Sequence, residues 1–246
     1  MAIAVPVFAN VEALLAAAVD EFTRRVSRAP ERGTFDVVLG LDALAEPLYD
    51  RLAQRRSIPW HRVRFVLAAE QRLPPEDPRT RYAAAYRGLF SRANVPPGNY
   101  WRFWSEAPDP ALAADYYGVM LQRVFGWSAT ERPRFDLALL ELGAAGEVAS
   151  HFPDDTTPEG PELATCHRSP VDGTEGFRLT ARTLAGARAT LLLASGSRVA
   201  AALREACRGN SVAERVAPPR RSTRWLADAA AAMLLSHDAG PSRGVA

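Results

Sequence analysis

Hydrophobic positions along the 246-residue chain follow two alternating patterns. Val11, Leu14, Leu15, Ala18, Phe22 and Val26 recur on one face of a 3.6-residue period, which predicts a helix over 10–28 with Asn10 as its cap. FDVVLG (35–40) is an unbroken apolar run closed by glycine, the mark of a buried strand, and the spacing of 43–54 predicts a helix after it. The same contrast predicts strands over 62–68, 135–143 and 188–196, and helices near 80–92 and over 109–126, 197–207 and 222–235. Residues 151–176 read as one long loop, placed to act as a lid.

Strands alternating with helices of this length imply an α/β fold, a single domain with a mostly parallel, doubly wound (Rossmann-like) sheet. The domain runs over 1–236, and 237–246 reads as a disordered tail. Ligands of such sheets bind at the carboxyl ends of the strands. Here those ends are Gly40, Ala68-Ala69 and Gly143, and any site lies where their loops meet.

Composition narrows the chemistry. Hydrophobic residues make up 48% and charged residues 24%, ordinary proportions for a globular chain. All thirty basic residues are arginine, so no lysine Schiff base or lysine phosphate ligand is available. A net charge of +2 gives no nucleic-acid footprint. No apolar run approaches the roughly 18 residues of a membrane span, and the first residues read as mature sequence rather than a leader. Cys166 and Cys207 lack metal or redox spacing and read as free thiols of a cytoplasmic protein. The histidines have no ligand spacing, so neither a metal nor a cofactor is expected, and the expected partner is a small molecule. Oligomeric state is not legible.

Several segments in order, PLYDRLA (47–53), IPWHRVRF (58–65), LPPEDPRTRY (73–82), PRFDLALLELG (133–143), ASHFP (149–153), TLLLASG (190–196) and RWLADAAA (224–231), resemble the 6-phosphogluconolactonase family and the related glucosamine-6-phosphate deaminases. The resemblance spans roughly residues 10–236 and implies a sheet of the 6-phosphogluconolactonase type. The site positions depart from it. A glycine- and hydroxyl-rich phosphate loop becomes Gly40-Leu41-Asp42-Ala43-Leu44-Ala45, and an acid-acid-arginine triplet becomes Ala69-Glu70-Gln71. In LGAAGEVASHFP, Ala145 stands at the family's acid and Glu147 at the histidine that the family is thought to use as base. The family's lysine falls on Val199, beside Arg198.

The residue types left point to a carboxylate site. Glu147, just after Gly146 at an expected helix start, is either the replacement general base or a first-turn acid. Glu70 is a catalytic acid or a structural partner of an arginine. His151, four residues after Glu147 on the same expected helix face, is its orienter or a buried, hydrogen-bonded histidine. Asp42 caps the helix near Ala43 or contacts ligand. Gly40, Gln71, Arg72, Arg81, Gly143, Gly146 and Arg198 complete the expected ligand-binding set. Three readings stay open: a remodelled enzyme for a small non-phosphorylated lactone, ester or sugar-like molecule, a catalytically silent binder, and residual 6-phosphogluconolactonase activity. A cleft plugged by Leu41 and Leu44 would favour the second.

Overall fold

Asn10 caps the first helix as its residue type demands, its side chain accepting the Ala13 N–H at 2.9 Å, and α1 runs over Val11–Arg28. Its apolar stripe sends Leu14, Leu15, Phe22 and Val26 into the core, each large side chain contributing about 1.5–3 kcal/mol by burial. The computed structural model describes residues 4–30, 32–127, 134–155, 160–209, 211–218 and 222–235. The tail expected over 237–246 lies outside the described residues.

Seven parallel strands form the central sheet: β1 (Val7–Phe8), β2 (Phe35–Gly40), β3 (Val63–Leu67), β5 (Tyr100–Trp101), β6 (Leu137–Glu141), β9 (Thr190–Ala194) and β10 (Thr223–Asp228). Their order is β1-β10-β9-β6-β2-β3-β5. From β2 the chain steps outward through α2 (Ala45–Ala53) to β3 and β5, and α4 (Pro110–Phe125) then carries it back to β6 on the other flank of β2. The direction of winding therefore reverses between β2 and β6, which makes the gap beyond their carboxyl ends the switch point of the sheet. Asp109 caps α4 through Ala111 and Leu112 N–H, and Gly126 ends it in the left-handed conformation.

Two expectations are corrected here. Residues 222–235 form strand β10 followed by a short 3-10 turn (Ala231–Leu234), not a closing helix. The alanine-rich run favours helix locally, but β10 pairs with β9 on one side and β1 on the other, and that ladder wins. The stretch 151–176 is no loop throughout: β7 (Ala164–Arg168) and β8 (Glu175–Leu179) pair antiparallel. β4 (Ala69–Gln71) joins β8 to complete a second, three-stranded sheet. That small sheet stands beside the carboxyl ends of the main one and forms a wall of the site.

Candidate active site

A cleft of about 650 Å³ opens at the carboxyl ends of β2, β4, β6 and β9, with the β7–β8 hairpin as its far wall. Among the expected residues, Asp42, Glu70, Gln71, Arg81, Gly143, Glu147 and Arg198 line it. Gly40, Arg72, Gly146 and His151 do not. Leu41 and Leu44 do not plug it either; both are turned into the core, 1% and 5% exposed.

Gly40 serves the floor of the site by shape: a Cβ there would lie 2.6 Å from the Leu140 side chain and 3.0 Å from Ala68 Cβ. Asp42 does not cap α2, whose N-terminus has no side-chain cap. Its carboxylate instead pairs with Arg81 at 2.7 Å. Arg81 follows the cap Thr80 at the start of α3 (Arg81–Ala85), and its buried Nε has no hydrogen-bond partner. Arg72 is committed to Glu175 at 2.9 Å and to the Pro108 carbonyl, outside the cleft.

Glu70 is buried, and its carboxylate is spent on backbone. Oε1 accepts the Gln71 and Arg81 N–H groups and Oε2 that of Tyr82, each at 2.8 Å. Two of these donors are orphan N–H groups at the start of α3. Burial raises its pKa against the lowering effect of these bonds. The geometry gives Glu70 to the fold, as a side chain that fixes where Arg81 stands.

The segment after β6 is not a strand-to-helix turn. Gly143 N–H donates to Glu147 O at 2.8 Å, and Gly146 N–H to Gly143 O, so the chain doubles back at once. Val148 and His151 then exchange N–H···O bonds at 3.0 Å across Ala149 and Ser150, which have φ of 50° and 62°. Two consecutive left-handed residues are the signature of a tight hairpin turn, and without glycine each costs about 1–2 kcal/mol. Arg178 Nη1 holds this turn by donating to the Ser150 carbonyl at 2.9 Å. Glu147 and His151 thus share no helix face. His151 is buried, bonds the Leu179 carbonyl through Nε2 at 2.9 Å, and is held down to about 3, chiefly by burial, so its ring is neutral.

Glu147 stands half-buried on the cleft wall, Oε2 accepting the Ala145 N–H at 2.9 Å. Its carboxylate is folded over Gly143, where a Cβ would meet Oε1 at 2.0 Å. Glycine at 143 is what makes room for it. Arg198 also lines the cleft, exposed in the short turn (Ser197–Val199) that precedes the helix Ala200–Cys207, with no carboxylate partner among the described residues.

Two cleft residues escaped the sequence reading. His167, read as a loop residue, lies on β7 and lines the cleft; burial, then Arg178 and Arg81, hold it down to about 4, and its buried Nδ1 has no partner. Glu141 ends β6, and burial pushes its carboxyl up to about 7 even though Oε2 accepts N–H bonds from Asp42 and Leu44. An acid closing an otherwise apolar strand was the available signal. Among the described residues, no cluster of histidine, cysteine and acid could hold a metal ion, and no helix is long and apolar enough to cross a membrane.

The chain matches the family model described as glucosamine-6-phosphate isomerases/6-phosphogluconolactonase over residues 9–225. It is 30% identical to a 6-phosphogluconolactonase of Synechocystis over 201 residues, covering 80% of this chain and 82% of that one. The structure of a 6-phosphogluconolactonase from Thermotoga maritima superposes with a TM-score of 0.76 at 25% identity, covering 91% of this chain and 98% of that one. A monomeric glucosamine-6-phosphate deaminase does so at 0.74 and 19%, covering 94% and 99%, a likeness of fold alone.

Proposed function

Because the chain belongs to the glucosamine-6-phosphate isomerase/6-phosphogluconolactonase family, we propose that it is a hydrolase of a small lactone that carries no phosphate, with Glu147 as general base. One observation carries this reading: the cleft is open, and Glu147 stands on its wall with Oε1 free of any hydrogen bond among the described residues. In the proposed reaction Glu147 takes a proton from a water whose oxygen attacks the ring carbonyl. The ring C–O bond then breaks, and Glu147 returns the proton to the leaving alkoxide. Arg198, which lines the cleft with no carboxylate partner among the described residues, is the group available to stabilise the developing oxyanion. The neutral His167 ring supports substrate orientation through a hydroxyl.

The absence of phosphate from the substrate is supported by the balance of charge. Asp42 is paired with Arg81 and Glu175 with Arg72 and Arg168, while Glu70, Glu141, Glu147 and Asp172 line the cleft with no ion-pair partner among the described residues, against the single arginine Arg198. The test is hydrolysis of glucono-1,5-lactone and of its 6-phosphate, each corrected for spontaneous opening, by wild type and Glu147→Gln. The expected result is turnover of the unphosphorylated lactone that falls by about 100-fold or more in the variant. Efficient turnover of the 6-phosphate would assign the activity named for the relatives and retire this substrate class. No turnover of either would leave a binding protein.

A further inference from the structure

Beyond β2 and β6, at the switch point of the sheet, an open α/β fold receives its ligand. In this chain that gap is bridged from within. Glu141, the last residue of β6, reaches across to the loop after β2, where its Oε2 accepts the Asp42 N–H at 2.8 Å and the Leu44 N–H at 3.0 Å. Ala43, between these two donors, also lowers the carboxyl's pKa through its N–H against the larger effect of burial. Successive backbone N–H groups converging just ahead of a helix make a concavity for an anion. Here they lead into α2, which starts at Ala45, and the anion they hold is a side chain of the protein itself.

The surroundings fit an occupied nest rather than a waiting one. Asp42 sets a second negative charge beside it, and Arg81, which also lines the cleft, is paired to Asp42. Glu141, Asp42 and Ala43 all line the cleft, so an incoming phosphate would have to displace the Glu141 carboxylate to reach these donors.

We propose that Glu141 is a specificity-determining residue of this cleft: its carboxylate fills the 42–44 anion nest and so excludes phosphorylated substrates. The proposal rests on the reading of the cleft as a lactone site and names what that site refuses. A residue that merely capped the loop would, when removed, lower stability without creating an anion site.

Sulfate is the probe, a dianion throughout the neutral range, titrated calorimetrically at pH 8 into wild type, Glu141→Gly and Glu141→Gln. Emptying the nest in the glycine variant is expected to tighten sulfate binding by about tenfold or more, since charge-assisted bonds to several N–H groups become available. The glutamine variant keeps the nest filled but neutral and is expected to gain about threefold from the lost repulsion. A folded glycine variant that gains nothing, or a wild type that binds sulfate as tightly as that variant, overturns the proposal. Should the glycine variant not fold, unchanged affinity in the glutamine variant does so. Lactone hydrolysis by wild type is read separately. Sulfate gain without hydrolysis keeps the role of Glu141 and sinks the lactonase reading; hydrolysis without sulfate gain does the reverse.

Discussion

Glu141 also makes a prediction about stability that needs no substrate. Its carboxyl sits at about 7 in the folded chain against an ordinary 4.5, with burial as the leading cause. The folded state therefore binds this proton more tightly than the unfolded one. The stabilisation is complete below about 4.5 and is lost as pH rises through about 7. A displacement of that size corresponds to about 3 kcal/mol, and solvent in the open cleft brings the working figure to about 2 kcal/mol. Glu141→Gln cannot ionise, so it escapes this loss. Its melting temperature relative to wild type should rise by roughly 4–8 °C between pH 5 and pH 8. Any lost hydrogen bond adds only a pH-independent offset, and the titrations of Glu70, His151 and His167 are common to both proteins and cancel. Thermal melts of the pair across that range check it. A difference that stays flat, or that falls as pH rises, refutes the placement of an enclosed, ionisable carboxylate at the end of β6.

Gly143→Ala places a methyl group where the Glu147 carboxylate lies, 2.0 Å from Oε1. The obstacle is the mobile end of a side chain, so stability should change by less than about 1 kcal/mol, while lactone turnover falls toward that of Glu147→Gln. An unchanged rate would detach Glu147 from the chemistry. Glu70→Ala strands three backbone donors, two at the start of α3 and one in β4, and should cost about 3 kcal/mol, read as a lower denaturant midpoint. A full loss of turnover in a variant of undiminished stability would instead make Glu70 a catalytic group.

What the sequence disclosed follows from how local each feature is. FDVVLG (35–40) is β2 to the residue, because an apolar run closed by glycine admits little else. Asn10 caps α1 as expected, through a bond spanning three residues. The turn after β6 is a local failure, closed by bonds between residues three or four apart; the others are non-local. β7 shows no clear alternation of its own and is a strand because β8 pairs with it along its length. Thr223–Asp228 looks helical until β9 and β1 supply its ladder. Glu70 was visible as an acid, yet two of its three N–H partners lie eleven and twelve residues downstream. Glu141 was passed over because its partners belong to a loop 97 and 99 residues earlier in the chain.

Contacts between a carboxylate and backbone N–H groups recur around the cleft. N–H groups that ring a ligand site at strand ends and helix starts need an acceptor when buried. In this chain carboxylates supply it. Glu141 serves the loop before α2, Glu70 the start of α3, and Glu147 the turn after β6. Asp228 serves the end of β9, accepting Gly196 N–H at 3.1 Å and the Ser195 hydroxyl at 2.5 Å. These backbone donors around the cleft are thus answered by the protein's own carboxylates. Arg198 remains as a cation with no carboxylate partner among the described residues, and one such charge suits the transient oxyanion of an opening ring better than a permanent phosphate dianion.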